Sequence, residues 1–265
     1  MGRGTGVMDA AWQEFTAEIR RWRDAGRKVE FWWRDDDAGR PEKALTRLFR
    51  LAARFDVPLA LAVIPACLDL QLFAALPPQA DILQHGADHL NRAAPGEKKT
   101  EYPASETIGV AAARLAEGGR RLAALAGPRS LGVLAPPWNR IAEHLLPRLP
   151  SCGLHGLSRY GARRNARAAP GVVEINTHVD IIGWKSGRGF VGEVEALAQA
   201  TRHLIARRER VADAEEPTGW LTHHACHDEA AWTFLAQLFE RMRAEQGVRW
   251  KSARELFSGM TPARP

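Results

Sequence analysis

Short apolar runs alternate along the chain with longer stretches in which apolar residues recur every three or four positions. That alternation predicts βα units and a mainly parallel sheet. The strand candidates are "VEFWWR" (29–34), "VPLALAVIP" (57–65), "ADILQHG" (80–86), "LGVLAPP" (131–137), "GLHGLSRY" (153–160), "VVEINTHVD" (172–180) and "TGWLTHH" (218–224). Between and after them, "KALTRLFRLAARF", "GVAAARLAEGGRRLAALAG", "VGEVEALAQATRHLIARRER" and "EAAWTFLAQLFERMRAE" carry helical spacing, and Gly127 with Pro128 makes a natural stop for the second. An N-terminal helix is expected over about residues 1–25, and 258–265 reads as a tail. No repeat, linker or low-complexity tract divides residues 1–265, so one domain is expected.

Polar residues in these runs gather at the carboxyl ends. Asp35, Asp36 and Asp37 follow the first strand, His85 the third, Pro136 to Arg140 the fourth, Asp180 the sixth, and His223 and His224 the seventh. In parallel α/β sheets and barrels the ligand site lies where those ends and their loops converge, so residues far apart in sequence are expected to meet.

Composition narrows the class. A chain of 265 residues, 45% of them hydrophobic, can bury a large core and suits an α/β barrel. No run approaches the ~20 apolar residues of a membrane span. The start "MGRGTGVMDAAWQEF" carries charges where a signal peptide needs an apolar core, so cytoplasmic residence is expected. Cys67, Cys152 and Cys226 are odd in number and widely spaced, which fits a reducing compartment better than a disulfide framework. The net charge of +6 comes with only six lysines among 37 basic residues. "RYGARRNARAAP" offers no aromatic beyond Tyr160 to stack a base, so a nucleic-acid partner is not expected.

Two stretches carry the chemistry. In "FWWRDDDAGRP" three adjacent carboxylates repel one another and require a positive partner. In "QHGADH", His85 and His89 are spaced i, i+4; a helix starting directly after the strand would put both imidazoles on one face. Two imidazoles and one carboxylate around a divalent ion, with open positions for water and substrate, form a recurring hydrolytic centre. A bound cation would then relieve the crowding of the aspartates.

"RDDDAG", "HGADH", "APPWNR", "VDIIGW" and "LTHH", in that order over nearly the whole chain, resemble the five motifs of the polysaccharide deacetylase family. The resemblance implies a distorted (β/α)7 barrel and a metal-dependent amide or ester hydrolase. It implies that one aspartate of the first motif is the general base and the next a metal ligand, that His85 and His89 complete the metal site, and that the histidine of "LTH" is the general acid. A backbone N–H near Trp138 would help hold the oxyanion. One divalent ion is implied, Zn²⁺ first, with Co²⁺, Ni²⁺ or Mn²⁺ as alternatives. Two departures stand out: the first motif holds three aspartates and an intervening Ala38, and Ala135 stands where the family carries an arginine that contacts the base. Arg34 and Arg140 are the candidates to replace it.

Pairing the family's two aspartates with Asp35 and Asp36 makes Asp36 the ligand; pairing them with Asp36 and Asp37 makes Asp36 the base and Asp37 the ligand. The small Ala38 after Asp37 favours the second register. Leu221, Thr222 and His223 match the fifth motif, and strand alternation sends His223 and His224 to opposite faces, so His223 is the expected acid, with Asp180 orienting it. Trp138 and Trp184 are candidates to wall a saccharide cleft, with Pro137, Arg140 and His224 as further substrate contacts. "NRAAPGEKKTEYP" reads as a loop over the site, with Lys98 and Lys99 at its tip. Two rival readings are a metal-binding module centred on His223–Asp228 and a barrel of the same fold that keeps a metal-held pocket without catalysis.

Overall fold

The computed structural model describes residues 2–185 and 187–259, with the side chains of 2–5 excepted. Its centre is β1 (Val29–Ala38), which pairs in parallel with β2 (Leu59–Val63) on one side and β9 (Thr218–Thr222) on the other. The remaining strands are β3 (Ala80–Gln84), β4 (Ser130–Leu134), β5 (Gly156–Leu157), β6 (Arg167–Ala169), β7 (Val172–Glu174), β8 (Val179–Asp180) and β10 (Val248–Trp250). They form one ten-stranded sheet in the order β6-β7-β5-β4-β3-β2-β1-β9-β8, with β10 beside the start of β1. Among the described strands only β6, which forms a hairpin with β7, is antiparallel.

Closure depends on residues 172–180. This segment pairs with β5 at its start, with Tyr160 through Thr177, and with β9 at its end, so it joins the two ends of the sheet. Counting it as one strand gives the distorted (β/α)7 barrel expected from the sequence. At the seam the backbone comes so close to Gly219 that a Cβ there would lie 2.7 Å from the Asn176 carbonyl oxygen, a position only glycine fills without displacement.

The described residues also form seven α-helices: α1 (Gly2–Asp24), α2 (Lys43–Phe55), α3 (Gln71–Ala75), α4 (Ile108–Ala126), α5 (Glu193–Arg208), α6 (Glu229–Ala244) and α7 (Ala253–Leu256). In α2, Leu45, Leu48, Phe49, Ala52 and Phe55 are buried at helical spacing, which fixes the face laid on the sheet. The barrel is distorted because no long helix follows β4 or β5; short 3₁₀ turns and the β6–β7 hairpin stand there instead. β6 and β10 were not expected from the sequence.

Alternation along β1 separates two cores. Phe31 and Trp33 face outward into the layer formed with the helices, where Trp33 meets Phe239 of α6 at 4.8 Å between ring centroids. Trp32 faces inward, among Ala60, Ala62, Leu83, Val133 and Phe257. All three cysteines are free. Among the described residues, no helix is long and apolar enough to cross a membrane.

Candidate active site

The three aspartates diverge. Asp35 continues the outward face of β1, where Thr222 Oγ1 donates to its Oδ2 at 2.6 Å and the His224 backbone N–H reaches the same oxygen at 3.0 Å. His224 Nδ1 lies 2.5 Å from Oδ1, and its Nε2 lies 2.8 Å from Glu42 Oε1, so the imidazole bridges two carboxylates. Burial alone would push the Asp35 carboxyl up, but the charge and hydrogen bond of His224 outweigh it and hold it below its ordinary value. Burial likewise pushes His224 down, and the Asp35 charge overcomes it, leaving His224 above its ordinary value.

Asp36 turns inward and is gripped by Arg34, two residues earlier on the same face. Nε donates to Oδ1 at 2.9 Å and Nη2 to Oδ2 at 3.0 Å, a bidentate fork buried on both sides. The other guanidinium donors reach the Ser158 carbonyl at 2.8 Å, Ser158 Oγ at 2.7 Å and Asn139 Oδ1 at 2.7 Å. All five N–H donors of Arg34 are thereby used.

Asp37 breaks the alternation. Its φ of 70° is left-handed, and the β1–β2 register shifts between Asp35 and Ala38. The turn carries its carboxylate toward "QHGADH", so that Oδ1 stands 3.0 Å from His85 Nε2 and 3.2 Å from His89 Nε2. No aligned hydrogen bond reaches this buried oxygen. The separations suit hydrogen bonds but the alignment does not, and the three ligand atoms lie within 4.8 Å of one another. His85 Nδ1 lies 2.9 Å from the Ala135 carbonyl, to which only an N–H can bond, so in the neutral ring Nε2 is the bare nitrogen. Burial pushes His85 down and the charge of Asp36 more than offsets this, raising it overall; Asp37 is held below the carboxylate range by its two imidazole neighbours against the effect of burial.

This donor set fits a divalent cation: one carboxylate and two histidines, one in the correct tautomer and the pair 5.1 Å apart between ring centroids. A second group, His178, His203 and Glu216, is fully buried below the start of β9 and has similar ligand types. It fails on chemistry. His178 Nδ1 accepts the Gly219 N–H at 3.0 Å, which places the ring's own proton on Nε2, and the His178 and His203 rings stack at 3.4 Å and 13°, so their in-plane lone pairs run parallel.

The helix directly after β3 that would have put both imidazoles on one face does not form. Residues 85–91 form an irregular turn, with Gly86 at φ 64° and His89 at φ 59°, and this turn brings the two histidines together. His223 stands with Nε2 4.0 Å from Asp36 Oδ2, and its Nδ1 is buried without a partner. The proposed support from Asp180 is not formed: Asp180 Oδ1 accepts the Ile182 N–H at 2.9 Å and Oδ2 accepts Trp184 Nε1–H at 2.8 Å. Burial raises the Asp180 carboxyl above its ordinary value, and the nearby His223 opposes that. Trp184 instead meets His223 directly, edge to face at 4.7 Å.

Trp138 packs on His89 at 4.5 Å. Trp138 and Asn139 both have left-handed φ values of 54° and 56°, which lets Pro137 turn the chain tightly enough for Asn139 to reach Arg34. Arg140 does not approach Asp36; it is exposed and donates to the Lys99 carbonyl at 3.0 Å. His224 cannot line a substrate pocket, because it is buried between Asp35 and Glu42. The "HHACHD" segment does not gather as a metal site, since Asp228 caps α6 through the Ala231 N–H. Glu42 and Ser158 went unnoticed in the sequence; their only signal is placement just beyond strand ends.

No family model and no curated protein matches the sequence. Solved structures do match, and the barrel is the fold of polysaccharide deacetylases and family 4 carbohydrate esterases. A peptidoglycan N-acetylglucosamine deacetylase, Bc1960, bound to a naphthalenyl N-oxidanyl-benzamide, aligns with TM-score 0.56 and 13% identity over 89% of this chain and 91% of that one. The family 4 carbohydrate esterase from Streptomyces lividans in complex with acetate aligns with TM-score 0.53 and 12% identity over 83% and 90%. A mutant of BA3943, a CE4 family pseudoenzyme with restored enzymatic activity, aligns with TM-score 0.56 and 15% identity over 90% and 70%. At these identities the likeness is one of fold.

Proposed function

We propose that this chain is a metal-dependent hydrolase that removes an acetyl-like acyl group from an amide or ester of a saccharide-like substrate. The observation that carries the reading is the convergence of Asp37 Oδ1, His85 Nε2 and His89 Nε2 on one point beside a second carboxylate, Asp36. Asp37, His85 and His89 would hold the ion, Zn²⁺ by preference for this donor set. When bound there, it supplies a Lewis acid for the scissile carbonyl and acidifies a water.

The protein's own groups do the rest. Asp36 takes the proton of the attacking water, kept in one orientation by the Arg34 fork. His223, 4.0 Å from Asp36, gives a proton to the departing nitrogen or oxygen, so base and acid face the same reacting carbon. Trp138, packed on His89, and Trp184, packed on His223, offer apolar faces to a pyranose ring while keeping bulk water back. The deacetylase and esterase activities named for structures of this fold agree with that chemistry. The rival reading of an impaired barrel rests on Ala135, and Arg34 answers it by reaching the base from β1.

Metal content and turnover together test the proposal. Wild-type protein should bind one divalent ion and hydrolyse an activated acetyl ester or an N-acetylated chito-oligosaccharide, and a His85→Ala, His89→Ala double variant should do neither. Unchanged metal content in the double variant would move the site elsewhere, and a metal-loaded wild type inert on every acylated substrate would leave a binding protein.

A further inference from the structure

We propose that Glu101 is a positioning residue for the metal trio, setting the affinity for the divalent ion by holding the turn that carries His89. The inference rests on the metal reading above and deepens it. Glu101 sits in the loop that follows His89 and is completely buried. Its carboxylate is spent on backbone: Oε1 accepts the N–H of Ala87 at 2.9 Å and of Asp88 at 3.3 Å, and Oε2 accepts the N–H of His89 at 3.0 Å. Tyr102 donates its hydroxyl to Oε1 at 2.8 Å, and Arg114 Nε stands 3.8 Å away.

Three successive amides pointing at one spot form a concavity suited to an anion. Here the chain supplies the anion itself. The geometry needs it, because His89 is a non-glycine residue in the left-handed region, a conformation that persists only where surrounding contacts fix it. The same packing dictates Gly86: a Cβ there would lie 2.1 Å from Glu101 Oε2. His89 is thus fixed at both ends, its backbone by Glu101 and its ring by Trp138 at 4.5 Å. His85 and Asp37 belong to strand ends, whereas His89 is carried by a loop, so the His89 ligand alone depends on such a clamp. Glu101 is not among the three residues whose ligand atoms gather, so it acts on the site through the turn and not as a ligand.

Competition with a chromophoric chelator, titrating Zn²⁺ alone, reads the effect. In Glu101→Gln one oxygen becomes an NH2 group facing an N–H donor, and the Kd for Zn²⁺ should rise about 10- to 100-fold, the range typical of groups that orient metal ligands. Turnover at saturating Zn²⁺ should return to within a few-fold of wild type. Glu101→Asp keeps the buried charge but retracts it by one methylene, so it tests the same point if the glutamine variant fails to fold; a Kd weakened about 10-fold is expected. A residue that only staples the loop would lower Tm while leaving the Kd of the folded protein within twofold, and that result in either variant overturns the proposal. If wild type and the His85→Ala, His89→Ala protein take up Zn²⁺ equally, the metal trio is at fault, not Glu101.

Discussion

Replacing Arg34 by Met removes a buried cation of similar length and strips the Asp36 carboxylate of its bidentate partner, in a pair whose side chains are 0% and 2% exposed. Two routes give the size of the loss. Unit charges ~4 Å apart at an effective dielectric constant of ~20 attract by about 4 kcal/mol. Breaking a buried ion pair by deleting one member costs about 3–5 kcal/mol by general experience. Both figures are a large part of the ~5–15 kcal/mol that holds an ordinary domain together.

The magnitude alone does not isolate the pair, because Arg34 also binds Ser158 and Asn139. A double-mutant cycle does. Arg34→Met, Asp36→Asn and the double variant are unfolded in urea, and their free energies compared. Once Arg34 is gone, neutralising Asp36 removes a penalty, so the double variant should be less damaged than the sum of the singles by at least ~2 kcal/mol. Losses that add to within ~0.5 kcal/mol would refute the claim that Arg34 holds Asp36 through its charge.

Asp36→Asn should abolish turnover while Zn²⁺ content is retained, whereas Asp37→Asn should lose the ion; the opposite pattern, read by metal analysis, shifts the roles by one residue. His223→Ala should lower kcat on an activated acetyl substrate by about 10²-fold or more with Tm little changed. His224→Ala should instead cost stability by about 3–5 kcal/mol through a stranded Asp35, and a catalytic loss confined to His224 would reverse the assignment. Acid should destabilise the protein below pH 6.5: burial holds His178 below its ordinary value and pushes His203 down to about 2, so the unfolded chain takes up protons that the folded one refuses. Burial raises Glu216 to about 7, so it acts in the opposite direction between 4.5 and 7, and the buried carboxyls of Asp81, Glu101 and Asp180, also raised, oppose the histidines in the same sense. His203→Leu should therefore reduce the stability lost between pH 6.5 and 5 by about 2 kcal/mol, measured by urea titration at each pH, and an unaltered slope would exclude His203 as the cause.

All seven strand candidates exist, because buried parallel strands must be apolar runs and the helices between them must show a periodic face. β6 and β10 escaped notice because each is three residues long and partly exposed. Within the site, strand periodicity was informative and loop geometry was not. Alternation separates His223, near Asp36, from His224, on Asp35. It cannot announce the left-handed turn that ends it at Asp37, since aspartate enters that region more readily than most residues but does not require it. The i, i+4 histidines suggested a helix, yet Gly86 and a buried acid 12 residues after His89 fold the segment otherwise. Asp180 shows the limit of adjacency: lying next to β9 in the barrel says nothing about side-chain direction, and local donors at Ile182 and Trp184 satisfy it first.

The run Asp35–Asp36–Asp37 shows why no single counter-charge could have been read from its neighbours. Consecutive carboxylates on an ideal strand alternate, so the first and third would share a face and repel. Here the third residue leaves the strand geometry, and each carboxylate acquires a different partner: an imidazole held by a second acid, a guanidinium from the same strand, and a pair of imidazoles across the barrel mouth. The positive φ of Asp37 is what permits Asp36 and Asp37, the proposed base and ligand, to be adjacent in sequence and still face one site, since inward alternation supplies only one of them. Arg34 follows from the same alternation: two residues before Asp36 on the inward face, it is well placed to fork that carboxylate from within β1. Ala135, at the end of β4, then needs no side chain there, and its carbonyl serves His85 instead.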